Sequence, residues 1–293
     1  MAASATAAQH LACLICDTPN QPNQVLCKLC AAPLELTRRT QRQGRDPCIV
    51  SVLGDSNVGK TVYLGFLLDM LSQRTADFEA LPLDSRSVNL PQTVISHMAW
   101  RMFPPKTPME ANQWNWACYE ICRRGKRERH IDLVTPDLPG EAIAAEVASP
   151  STFRIVPKLL GKAAGLLLLA DAALAAHGST EPDFFALKML SYIDECAGGV
   201  RGRRITIPIA IVLTKADFVP ECFDDPRQFA RANLNRLWNM CERRCARVEF
   251  FASSVVGALG FATAAGDDSV RAVPLHTSLR GVLEPFEWIV DQL

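Results

Sequence analysis

From Cys48 onward the chain alternates short, almost wholly apolar runs with longer segments of mixed pattern. Such runs, four to eight residues long and rich in β-branched residues and leucine, predict buried strands; the stretches between them suit helices. CIVSVLG (48–54) reads as the first strand and Lys60 to Gln73 as an apolar helix. NWACYEIC (115–122) and HIDLVTPD (130–137), joined by the basic turn RRGKRER, predict an antiparallel hairpin. GLLLLAD (165–171), IPIAIVLTKAD (207–217) and RVEFFASS (247–254) predict three further buried strands, and Gly281 to Gln292 a closing helix. Strands fully apolar on both faces, separated by helices, imply an α/β three-layer sandwich with a mostly parallel sheet of about six strands and one antiparallel hairpin at its edge.

The first fifty residues follow another rule. Residues 1–10 are small and polar and predict disorder; residues 11–33 hold two Cys-x-x-Cys pairs; residues 34–47 are polar, basic and end in Pro47, the composition of a linker. Residues 48–293 then form the large domain. Four thiols in a segment with few large apolar residues make metal the plausible source of its stability. The ten residues between Cys13/Cys16 and Cys27/Cys30 suit two knuckles closing on one structural, four-coordinate Zn²⁺. The remaining seven cysteines, including the i,i+4 pairs Cys118/Cys122 and Cys241/Cys245, read as buried small apolar residues, and His130 and His177 show no ligand spacing.

Composition narrows the function. The chain has 293 residues, 48% hydrophobic and 21% charged, with 31 basic and 31 acidic side chains. Zero net charge excludes a general basic field for coating nucleic acid, so any nucleic-acid contact would be local. The longest apolar run, Ala163 to Ala176, is interrupted by Asp171 and falls short of the roughly 20 residues a membrane helix takes. The N-terminus has no basic stretch followed by an apolar core, which speaks against a secretion signal. An odd cysteine count in a large chain fits a reducing cytoplasm.

GDSNVGKT, Gly54 to Thr61, matches GxxxxGK[ST] between a strand and a helix. Its backbone amides, from Gly54, Asp55, Ser56, Asn57, Val58 and Gly59, would wrap phosphate oxygens, Lys60 would reach the β- and γ-phosphates, and Thr61 would ligate Mg²⁺. A glycine-rich turn without a ligand is the competing reading. DLPG (137–140) ends the hairpin's second strand; there Asp137 can hold Mg²⁺ through a water and Gly140 can turn its N–H to the γ-phosphate. Thr214, Lys215 and Asp217 of TKAD follow a strand. The Asp217 carboxylate can accept from guanine's ring N–H and exocyclic amine, a donor pair adenine lacks, with the Lys215 stem over the base. Ala252 and Ser253 lie where backbone amides could meet the guanine carbonyl.

With these four segments in order, residues 48–293 resemble a Ras-like P-loop GTPase of the translation-factor-related class. DLPG is similar to the corresponding string in the signal-recognition-particle receptor β subunit. The long insert before the hairpin and the closing LEPFEWIV helix look most like the bacterial double-GTPase families, inferred to serve in conflict or defence systems, some with zinc ribbons. The resemblance implies GTP/GDP and Mg²⁺ as ligands, and a first-switch threonine before the hairpin: Thr107, or failing that Thr93. It implies a protein partner at the switch segments or the ribbon. One residue departs from the pattern. Where many Ras-like enzymes place a glutamine after the DxxG glycine, this chain has Glu141, which cannot donate an amide N–H to the γ-phosphate and whose charge repels it. Slow intrinsic hydrolysis is expected, with Lys60, Gly140 and Glu141 the catalytic set, helped by a partner or by an arginine from a second protomer; Arg154 is an internal source that reads more readily as a solvated helix arginine. Two basic clusters, Arg38/Arg39/Arg42/Arg45 and Arg123/Arg124/Lys126/Arg127/Arg129, read either as solvated turns or as a docking surface. Three functions stay open: a GTP-hydrolysing switch, a hydrolysis-deficient nucleotide-binding scaffold, and a zinc-ribbon adaptor.

Overall fold

The computed structural model describes residues 10–44, 47–73, 78–123, 129–196, 204–263 and 270–293; residues 1–9, expected to be disordered, lie outside these. In the cysteine-rich segment, strands β1 (Leu11–Ala12) and β2 (Pro19–Asn20) pair antiparallel. Its two knuckles are built alike. Asp17 donates to the Cys13 carbonyl and Ala31 to the Cys27 carbonyl, both at 2.9 Å, and the residue after each second cysteine is left-handed (Asp17 φ 61°, Ala31 φ 55°).

Within the stretch read as a linker, most of the described residues are helical. Leu34–Gln43 is helix α1, closed by Gly44 at φ 62° whose N–H reaches the Thr40 carbonyl. Its arginines obscured a short apolar seam: Leu34, Leu36 and Thr37 are buried, and both leucines join the core that contains the cysteines. Those arginines are engaged as well. Arg38 donates to the carbonyls of Pro22 and Gln24, Arg39 pairs with Glu120, and Arg42 with Glu35.

The large domain runs β3 (Ile49–Gly54), α2 (Lys60–Ser72), β4 (Phe78–Pro82), α3 (Asn89–Ala99), β5 (Trp116–Arg123), β6 (Arg129–Pro136), α4 (Gly140–Ala148), α5 (Ile155–Lys162), β7 (Ala163–Asp171), α6 (Ala172–Ala176), α7 (Glu181–Cys196) and β8 (Ile209–Thr214). It continues through α8 (Glu221–Asp224), α9 (Pro226–Asn233), α10 (Asn235–Arg244), β9 (Val248–Ala252), β10 (Ser254–Thr263), β11 (Val270–Arg280) and α11 (Glu284–Gln292). The sheet has seven strands in the order β4-β5-β6-β3-β7-β8-β9. Only β5 runs against its neighbours. The predicted hairpin is β5–β6, but β4 covers its outer edge.

Alternation along each strand separates two apolar layers, as period-2 geometry requires. Ile49, Leu53, Leu166, Leu168, Ile209 and Ile211 face the cysteine-rich module, α1, α5, α7 and α10, whereas Val50, Val52, Leu167, Leu169, Ala210 and Val212 face α2, α3 and α11. This is the three-layer sandwich the sequence predicts. No helix among the described residues is long and apolar enough to cross a membrane.

A second hairpin, β10–β11, was not legible in the sequence; it stands outside the main sheet. It leads to Gly281, left-handed at φ 65°, where a Cβ would lie 1.9 Å from the Ala252 carbonyl oxygen. One residue on, the Val282 carbonyl accepts from Tyr63 Oη at 2.8 Å, tying the chain's return to α2. Gly281→Ala meets both a strained dihedral and a backbone clash, so the denaturation midpoint should fall by the equivalent of about 2–3 kcal/mol; an unchanged midpoint in urea would show that the contact relaxes freely.

Candidate functional site

Parallel strands deliver their C-terminal loops to one edge of the sheet, which is where open α/β sheets collect ligands. A cavity of about 580 Å³ lies there, lined by 55–63, 103–107, 138–141, Thr214, Lys215, Asp217, Phe218, Ser253 and four residues of the β10–β11 hairpin. Segments expected from sequence to form one site therefore meet, although they are scattered over some two hundred positions.

The loop after β3 turns through left-handed Asn57 (φ 59°) and Gly59 (φ 89°), and α2 begins at Lys60. Gly54 is buried behind the wall; a Cβ there would sit 2.7 Å from Val58 Cγ1. Burial raises the Asp55 carboxyl above its usual range, although its Oδ1 accepts from the Ser56 amide at 2.7 Å.

Asp137 is the centre of the arrangement. Its buried carboxylate receives Lys60 Nζ at 2.5 Å, Thr61 Oγ1 at 3.0 Å from each oxygen, and Thr107 Oγ1 at 2.7 Å. Thr107 thus joins the site, while Thr93 is exposed on α3, outside the cavity lining. Gly140 packs against the phosphate-loop candidate so closely that a Cβ would lie 2.0 Å from the Ser56 nitrogen. Next to it, Glu141 Oε1 accepts from Ser56 Oγ at 2.6 Å; this bond, above all, holds the Glu141 carboxyl below its ordinary range. Arg154 is exposed and does not line the cavity.

At the other end, Lys215 is left-handed (φ 56°) with Nζ 2.5 Å from Asp171 Oδ2, and Asp217 Oδ1 accepts from Ser254 Oγ at 2.9 Å. Thr214 is a strut: its hydroxyl donates to the Val58 carbonyl at 2.8 Å, joining this segment to the loop after β3. Ala252 and Ser253 do not offer the backbone amides expected of them. Ala252 is buried in β9 and does not line the cavity, and the Ser253 amide is spent on the Leu213 carbonyl at 2.8 Å. What Ser253 offers is its hydroxyl, buried and without a hydrogen-bond partner among the described residues.

Val255, Val256, Leu259 and Ala272 of the hairpin, with Phe103 and Phe218, supply apolar wall that sequence reasoning missed. The signal available was VVGALGF after a strand, whose alternation is blurred by Gly257 and Gly260. Of the basic clusters, Arg45, Arg124, Lys126 and Arg127 lie outside the described residues, as does the side chain of Arg129. Arg123 pairs with Asp291.

The four N-terminal cysteines form the one group of three or more metal-ligating side chains found among the described residues, every sulfur within 4.8 Å of the others. Cys13–Cys30 and Cys16–Cys27 sulfur separations are 3.7 and 3.5 Å. A tetrahedral ion with metal–sulfur bonds of about 2.3 Å has edges of about 3.8 Å, so the set fits Zn²⁺. Hydrogen bonding from Cys13 favours a thiolate at Cys16, and the same contact pushes the Cys13 thiol up to about 12. Without a cation these groups cannot share four charges. Asn20 Nδ2 reaches Cys27 Sγ at 3.6 Å and Thr18 lies 3.2 Å from Cys16 Sγ, giving outer-shell support. Of the other seven cysteines, Cys118, Cys222, Cys241 and Cys245 are buried, as expected of small apolar residues; Cys48 and Cys122 are only half-buried, and Cys196, at the end of α7, is exposed, against that expectation.

No curated protein matches the chain. Similar solved structures include the GDP-bound Roco2 RocCORdC of Methanosarcina barkeri (15% identity, TM-score 0.34, covering 72% of this chain and 44% of that one). A putative nucleolar GTP-binding protein 1 from Plasmodium falciparum aligns at 11% identity and TM-score 0.42 over 84% of this chain and 86% of that one. The SRb-GTP/SRX complex of Chaetomium thermophilum aligns at 16% identity and TM-score 0.40, over 73% and 93%. The chain thus spans less than half of the Roco2 chain it matches. The Double-GTPase 2 family model matches residues 48–271, most of the chain, and the protein belongs to that family.

Proposed function

We propose that the chain is a GTP-binding switch that hydrolyses GTP slowly to GDP and phosphate in the cytoplasm, within a bacterial conflict or defence system. The observation that carries this reading is the convergence of three separate segments, through Lys60 and Thr61, Thr107, and Asp137, on one buried carboxylate. A phosphate arriving at the loop amides competes for Lys60, and an Mg²⁺ bound by Thr61, Thr107 and Asp137 would neutralise charge on the β- and γ-oxygens. Lys60 then exchanges a carboxylate for a phosphate, and the segments bearing Thr107 and Asp137 shift with it; GDP lacks the group that holds them. Asp217 and the Ser253 hydroxyl face the base. The four cysteines hold one structural Zn²⁺, and a protein partner docks on the switch segments or the ribbon.

Glu141 favours a second reading, the hydrolysis-deficient scaffold, because its carboxylate is already fixed by Ser56 and adds negative charge where the γ-phosphate would sit. Single-turnover assays decide between them. Under the switch reading the unmodified chain hydrolyses GTP measurably. Glu141→Gln keeps an acceptor for Ser56, removes the charge and gains an N–H donor, so its rate should rise by about tenfold. No hydrolysis by either protein would leave the scaffold.

A further inference from the structure

The cysteine module is not appended to the large domain; it is fastened to the two segments that bracket Asp137. On one side, Trp116 Nε1 donates to the Cys30 carbonyl at 2.9 Å, a buried bond. Trp116 opens β5, directly after the segment that carries Thr107. The carbonyl of the preceding residue, Asn115, accepts from the Asp137 amide at 2.7 Å. Two hydrogen bonds, joined through the Asn115–Trp116 peptide, therefore connect a cysteine of the second knuckle to the backbone of the residue whose carboxylate is the centre of the site. On the other side, the turn of the first knuckle grips α5, the helix that follows α4 and hence the DLPG segment. Asp17 receives Lys158 and Lys162, each at 2.6 Å, and Lys162 also donates to the Leu14 carbonyl. Asp17 and Cys30 both lie in the knuckle turns, which an ion bound by the four cysteines would tie together. The cysteines, Trp116, Leu138, Ile143, Ile155 and Leu159 share one apolar cluster.

We infer that metal occupancy of Cys13, Cys16, Cys27 and Cys30 and nucleotide occupancy of the cavity are thermodynamically coupled, with Trp116 and the Asp17–Lys158–Lys162 contacts as the coupling elements. This rests on the nucleotide reading above and adds regulation to it. With the metal in place, the segments around Thr107 and Asp137 are held for a triphosphate; without it, they lose an anchor on each side. Linkage is reciprocal, so GTP must tighten the metal by the factor with which the metal tightens GTP.

The test uses the full chain, loaded with Zn²⁺ or stripped by a chelator. The loaded chain should bind a non-hydrolysable GTP analogue at least about tenfold tighter than the stripped one, and the analogue should lower Zn²⁺ loss to a competing chelator by a similar factor, within the usual range of coupling. Amide exchange in 100–116 and 137–148 should be slower with Zn²⁺ even without nucleotide. Stripping can unfold the knuckles outright, so two variants that leave every ligand intact complete the set. Trp116→Phe removes the indole donor, and Lys158→Gln with Lys162→Gln removes the grip on Asp17. Both should retain one zinc per chain and lose most of the coupling. Equal analogue affinity and equal exchange with and without metal, or undiminished coupling in both variants, overturns the inference. Failure of the loaded chain to bind the analogue would instead overturn the nucleotide reading, while the exchange measurement still decides whether the module anchors these segments.

Discussion

Lys60→Ala should abolish GTP binding measurable by calorimetry. Lys60 is the one side-chain cation of the GDSNVGKT loop, and its ammonium is 5% exposed at the start of α2. Nothing else on the loop supplies a mobile positive charge to the β- and γ-phosphates, and hydrogen bonds to charged groups are the strong ones. A loss of about 1,000-fold or more is therefore expected. The structure adds a consequence for the free protein. Asp137, 2% exposed, would lose its cation and keep only the Thr61 and Thr107 hydroxyls, and removing one partner of a buried pair costs about 3–5 kcal/mol. The variant should be folded by circular dichroism but less stable. Asp137→Asn added to Lys60→Ala removes the stranded charge and should recover much of the stability without recovering GTP binding. Near-normal GTP affinity in Lys60→Ala would mean that the loop does not cradle phosphates.

The large domain was readable because its strands are buried on both faces. CIVSVLG and GLLLLAD carry no polar residue that would disturb an apolar run apart from Ser51 and the terminal Asp171, and both of those find hydrogen-bond partners inside the fold. Among the elements not legible in the sequence, β4, α1 and β10 have separate reasons. In β4, FEALP is only five residues long and lies at the sheet edge, where Pro82 is tolerated and alternation need not show. In α1, four charged side chains among ten residues outweighed Leu34 and Leu36. In β10, Gly257 and Gly260 blur the apolar alternation that would mark a strand. They serve cross-strand crowding, since a Cβ would lie 2.3 Å from His276 Nε2 at the first and 2.8 Å from Leu275 Cδ2 at the second. Motif spacing singles out Lys60, Thr61, Asp137 and Asp217, because each needs a particular functional group at the end of a strand or the start of a helix, and the structure brings Lys60, Thr61 and Asp217 to the cavity wall with Asp137 bonded to the first two. The spacing misassigned the Ser253 amide because a backbone N–H is anonymous in sequence: whether it is free depends on the β8 partner, Leu213.

Asp217→Asn should exchange the preference for guanine for one for xanthine. In the unmodified protein Asp217 lines the cavity with Oδ1 accepting from Ser254 Oγ, which orients the carboxylate and leaves a second lone pair on Oδ1 and the whole of Oδ2 to accept from a base. Guanine's ring N–H and exocyclic amine both donate on one edge. Adenine presents a lone ring acceptor there, so its binding would leave a partly buried carboxylate unsatisfied; GTP should exceed ATP by about 10⁴-fold, the scale seen when a polar site rejects an unmatched partner. In the asparagine variant the amide oxygen can keep the Ser254 bond, which turns the NH₂ toward the base. A donor then meets guanine's amine, donor against donor, and GTP affinity should drop by about 10²–10³-fold. Xanthine carries a carbonyl in place of that amine, and xanthosine triphosphate should be the better ligand. The change in base preference separates this role from a structural one, since general damage to the cavity would weaken both nucleotides alike. Competition assays in which ATP displaces a labelled GTP analogue from the unmodified protein as well as GTP does, or in which the variant keeps its order of preference, would remove Asp217 from base recognition and leave the TKAD segment only as the strut that Thr214 makes with Val58.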